Sequence, residues 1–120
     1  MEDEEREMMA ELIVRRIEEI QALDIKPIIR RLESLNFEKG RGPRIIGLVS
    51  KANSLLDDVL HSDNVVDGMA VLTQSLVSLS FSQKLIKTGT PKGLECPEFK
   101  RIEQLKDDIR LVGETMLRAV

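Results

Sequence analysis

Apolar residues recur three and four apart along almost the whole chain, and no stretch alternates with the period of two that a half-buried strand needs. Met9, Ile13, Ile17 and Ile20 form the first stripe, widened by Ala10, Leu12 and Val14, and predict a helix from about Asp3 to Leu23. Pro27 fixes its own backbone and disfavours helical geometry at Lys26, so this helix is expected to end or kink within 24–26. A short second helix then starts at Pro27, with Ile28, Ile29, Leu32, Leu35 and Phe37 inward. Two glycines and a proline between Glu38 and Arg44 mark a loop. The third helix is expected from Pro43 or Arg44 to near His61, carrying Ile45, Leu48, Val49, Ala52, Leu55, Leu56 and Val59.

Ser62, Asp63 and Asn64 are good N-cap residues and stand just before the fourth apolar run. That run, Val65 to Ile86, carries only two charges, Asp67 and Lys84, and its apolar side chains point in every direction at helical pitch. Such a helix must be covered all round, by the rest of the chain or by a partner. The connection 88–96 is longer than bundle loops usually are, which suggests a crossover or a functional loop. Pro97 opens the last helix, where Ile102, Leu105, Ile109, Val112 and Met116 make a narrow seam of about two heptads. The chain is therefore expected to be one all-α domain, residues 1–120: a helical bundle of four to five helices, mostly antiparallel, with a central apolar helix near 65–87.

With 42% hydrophobic and 32% charged residues, the 120-residue chain has the balance of a folded domain large enough for a genuine core. Its three phenylalanines are the only aromatic residues, so the core is aliphatic. The net charge of −3 hides an acidic start and a basic section from Lys26 to Lys51. The lone Cys96 forms no intrachain disulfide, and the acidic N-terminus is unlike a secretory signal, so a cytoplasmic setting is expected. Serines, glutamines and the two charges make 65–86 too polar for an ordinary membrane span.

Few residues suggest chemistry. Asp58 and His61 are spaced to share a helix face, but a carboxylate-bridged metal bundle needs two such pairs and further inward acids. No metal and no cofactor are expected. Ser78, Ser80, Ser82 and Cys96 lack a base and an orienting group, and adjacent acids such as Asp107 and Asp108 do not face each other on a helix. The serines are better suited to close helix approach, with their hydroxyls bonded back to the preceding turn. The run Thr88 to Gly93 follows a helix and lacks the ending of a phosphate loop. Lys39, Arg41 and Arg44 precede a helix N-terminus and form the candidate anion site, with nucleic acid as the alternative partner. The acidic balance and the lack of a stacking platform count against it.

The expected function is a non-enzymatic protein-interaction or assembly module, self-associating through apolar helix surfaces. Its candidate contact residues are Met9, Val66, Ala70, Val77, Phe81, Ile109 and Met116, with methionine suited to adaptable surfaces.

Overall fold

A computed structural model describes residues 2–37, 40–89 and 96–118. Among these residues there are four helices and no strand. The first, α1, is one rod in three segments: an α-helix Asp3–Glu19, a π-helical segment Ile20–Ile25 and an α-helix Lys26–Glu33. The others are α2 (Arg41–Leu60), α3 (Val65–Gly89) and α4 (Pro97–Arg118). The two helices expected on either side of Pro27 are thus fused into one.

The fusion has a physical reason in the spacing of α1's inward residues. Ile13, Ile17 and Ile20 step by four and three, and Ile25, Ile28 and Leu32 step by three and four, but between Ile20 and Ile25 the step is five. A regular α-helix continued from Ile20 would turn Asp24, Pro27 and Arg31 toward the core. The wider π turn takes up the extra residue and brings Ile25, Ile28 and Leu32 inward instead, all of them buried. It also spares Pro27, whose ring would press on the Leu23 carbonyl in a plain α-helix. Lys26 N–H bonds five residues back, to the Gln21 carbonyl, and both Ile20 and Lys26 keep right-handed helical angles.

The other helices keep an unbroken four-three rhythm. In α2 it is Ile45, Val49, Ala52, Leu56 and Val59, and in α4 Ile102, Leu105, Ile109, Val112 and Met116, all buried. The buried seam of α3 alternates size: Gly68, Ser75, Ser82 and Gly89 recur every seven residues, with Leu72, Leu79 and Ile86 between them. Small residues let a neighbouring backbone come close. A Cβ on Gly68 would lie 2.9 Å from Met116 Cε, and one on Gly113 of α4 3.0 Å from Leu72 Cδ2.

Consecutive helices pack side by side and α4 returns to α1, whereas the diagonal pairs α1/α3 and α2/α4 make no backbone approach among the described residues. Cross-contacts give the directions. Gln21 reaches Asp57 near the end of α2, Ser78 reaches Leu48, Gln83 reaches Phe99 and Glu103, and Arg16 reaches Asp108. Every adjacent pair is antiparallel, an up-down-up-down bundle; of the connection expected over 88–96, residues 90–95 lie outside the described residues. The molecule measures 52 × 21 × 18 Å, and exposed residues dominate the first turns of α1.

Helix ends follow local chemistry. Gly40, at φ 83°, supplies the left-handed residue that lets the chain enter α2 at Arg41, earlier than Pro43 suggests. Of the three cap candidates, Asn64 does the work: its Oδ1 accepts Asp67 N–H and its Nδ2 donates to Asp67 Oδ2, both at 2.9 Å. At the far end of α3, Arg41 Nη1 donates to the Leu85 carbonyl at 3.2 Å and to Thr88 Oγ1 at 2.8 Å. Its side chain lies across Gly89, where any Cβ would collide with Arg41 Cδ.

Candidate functional site

The bundle covers α3 on one side only. The side facing α2 and α4 holds Gly68, Leu72, Ser75, Ser78, Leu79, Ser82, Gln83 and Ile86, so much of this helix's polarity points inward. Each buried hydroxyl is bonded: Ser75 to the Leu72 carbonyl and Ser82 to the Leu79 carbonyl, both at 2.6 Å, and Ser78 across to the Leu48 carbonyl at 2.7 Å. Back-bonding to the preceding turn thus holds for Ser75 and Ser82, whereas Ser78 bonds across to α2 and Ser80 is exposed.

Outward, α3 presents Val66, Ala70, Thr73, Val77, Phe81 and Lys84 in one stripe with helical spacing. Val66 is 76% exposed, Val77 49% and Phe81 54%. Around Val77 and Phe81 the surface dips into a hollow of about 320 Å³, floored by Thr73, Leu76 and Ser80 and edged by Lys84. Among the described residues, α3 is also the one helix long and apolar enough to cross a membrane by length and composition, with a third of its most apolar window buried.

Four of the seven residues expected at a protein contact, Val66, Ala70, Val77 and Phe81, therefore share this face. The other three do not join it. Ile109 is fully buried and Met116 nearly so, because α4 turns its heptad seam into the bundle, and neither is available to a partner. Met9 is half-buried on α1.

Two of the three residues of the candidate anion site are described. Arg41 is bound to the end of α3, Arg44 is exposed, and Lys39 lies outside the described residues. No group of three or more His, Cys, Asp or Glu gathers among the described residues in a way that could hold a metal. His61 Nδ1 sits 2.8 Å from the Asp57 carbonyl at the end of α2, and Cys96 lies before α4 at the opposite end of the bundle. Burial pushes the Cys96 thiol up, and its bond to Glu98 Oε2 at 3.2 Å pushes the same way, which disfavours the nucleophilic thiolate.

Two polar clusters lie elsewhere. Between α3 and α4, Lys106, only 8% exposed, donates from Nζ to Gln83 Oε1 at 2.6 Å. Gln83 Nε2 donates to Glu103 Oε2 at 2.7 Å and to the Phe99 carbonyl at 3.2 Å. The Gln83 bond, and secondarily Lys106, hold the Glu103 carboxyl below its usual range against the opposing effect of burial.

Between α1 and α4, burial and then the neighbouring charge of Asp108 raise the carboxyl of Asp24, with Arg16 opposing. A folded-state pKa above the unfolded one means that the folded chain holds this proton more tightly. Its contribution favours folding below about pH 4 and is lost as the pH climbs through the raised value. Asp24→Asn should therefore raise stability at pH 7, by less than about 1 kcal/mol because the site is partly open to water. Urea unfolding from pH 3 to 7 should show a gain that grows with pH; a uniform gain would have another cause.

Comparison with family models, curated proteins and solved structures gives no match.

Proposed function

We propose that this chain is a non-enzymatic protein-interaction module that self-associates through the outer face of α3. The observation that carries the proposal is the arrangement of α3, with serines and a glutamine turned into the bundle while Val66, Val77 and Phe81 face water. A contiguous apolar face left outside is characteristic of surfaces that meet another protein. The half-buried thiol of Cys96 is compatible with the cytoplasmic setting proposed for it. Anion or nucleic-acid binding is the weaker alternative, since Arg41 is already committed to the end of α3.

Molar mass by light scattering after size exclusion tests the proposal. The expected result is a dimer or larger species that persists in high salt, and conversion to monomer by the pair Val77→Lys and Phe81→Lys at unchanged helicity. Two buried lysines on each side of an apolar contact should weaken it at least about a hundredfold. A wild-type chain that stays monomeric at every concentration would overturn self-association.

A further inference from the structure

The outer face of α3 has an internal balance that self-association alone does not require. Its acidic residues stand at one end, Asp63 just before the helix and Asp67 in the first turn, and its basic residues, Lys84 and Lys87, stand at the other. The midpoint of Asp67 and Lys84 falls between Ser75 and Leu76. The midpoint of Asp63 and Lys87 is Ser75. Ala70 and Phe81, the smallest and largest apolar residues of the stripe, are also centred between Ser75 and Leu76. Among the described residues, Asp63, Lys84 and Lys87 make no ion pair within the chain.

Resting on the self-association proposed above, we infer that two copies pair α3 against α3 in antiparallel fashion about a two-fold axis that passes beside Ser75 and Leu76. In that register Asp67 of one copy is level with Lys84 of the other, and Asp63 is within one residue of level with Lys87. Phe81 meets the room left by Ala70. The axis generates each pairing twice, as an isologous interface requires. Antiparallel helices also set each positive N-terminal dipole end against a negative C-terminal one. A parallel pairing would instead put Asp67 beside Asp67, Lys84 beside Lys84 and Phe81 against Phe81. Complementary charges select among such arrangements more than they add affinity.

Two measurements on the whole chain test the register. In sedimentation equilibrium, Asp67→Lys or Lys84→Asp alone should weaken the dimer about tenfold at low salt, since each replaces two attractions by two repulsions. The double variant, which only exchanges the charges, should return to within about threefold of wild type. Asp67→Lys keeps the backbone bond to Asn64, so folding is checked by thermal melts of each variant. The second measurement uses a Cys96→Ser background and a short bismaleimide cross-linker. Gln74→Cys lies near the axis and should link two copies. Asp63→Cys should not, because antiparallel pairing separates the two sites by about 38 Å along the helices.

Cross-linking at both positions, or a double variant weaker than either single, would overturn the register while leaving self-association standing. Growth into species larger than a dimer would do the same, pointing to a head-to-tail contact such as α3 seated in the α1/α4 groove beside Leu12 and Leu111. A wild-type monomer at all concentrations would remove both proposals.

Discussion

Ile109→Ala should lower the unfolding free energy by about 3 kcal/mol, because the side chain is fully buried in the core cluster and its removal leaves a cavity in an aliphatic core that relaxes only in part. Phe81→Ala removes more carbon atoms yet should change the stability of the isolated chain by less than about 0.5 kcal/mol, since that ring stands in water. Urea unfolding at two protein concentrations separates the two effects. Ile109→Ala should shift the midpoint at both, and Phe81→Ala should only reduce the dependence on concentration. If Ile109→Ala left stability alone and weakened association, α4's seam would have to face outward.

Lys106→Ala is expected to cost about 2 to 3 kcal/mol, far more than a surface lysine, because Gln83 Oε1 would lose its donor inside the α3/α4 contact. The instructive comparison is with a version in which no buried polar group remains. Lys106→Met with Gln83→Leu removes donor and acceptor together and returns Glu103, half exposed, to water. It should recover most of the loss, within about 1 kcal/mol of wild type, since a half-satisfied polar cluster is worse than an apolar one. Thermal and urea unfolding of the three variants give the comparison directly. A double variant as weak as Lys106→Ala would mean that the lysine stabilises through its packed carbon chain instead.

Much of this architecture is legible without coordinates. Asn64 before the apolar run, Gly89 after it and Pro97 at the last start mark three helix ends, and the spacing from Ile102 to Met116 identifies the inward side of α4. The same seam nevertheless offers Ile109 and Met116 as partner contacts, because an apolar heptad reads alike whether it faces its own bundle or another. The orientation of α3 is less legible. Its apolar residues lie all round, so hydrophobicity names no preferred side, and close packing decided in favour of the small residues. A signal was present in Gly68, Ser75, Ser82 and Gly89, seven apart, but it records size and not polarity. The contacts of Arg41 are illegible for a related reason: sequence shows a cation before a helix, while its partners, Leu85 and Thr88, lie more than forty residues away.

The π segment in α1 has a consequence for how this chain tolerates change in length. Residues before Ile20 and after Ile25 belong to two hydrophobic stripes that are out of phase by one residue, about 100° of rotation. Regular α-helical bonding at the present length would swing one half of the rod so that Asp24, Pro27 and Arg31 replaced Ile25, Ile28 and Leu32 in the core. A single deletion within 21–24 would instead shorten the step from Ile20 to Ile25 to four and let a plain α-helix keep the three apolar residues inward. A single insertion would lengthen that step to six and put the two stripes a further residue out of phase. The segment is thus a length gauge: at this chain length, and one residue shorter no longer, the first helix must be locally irregular for its two stripes to share one side of the bundle.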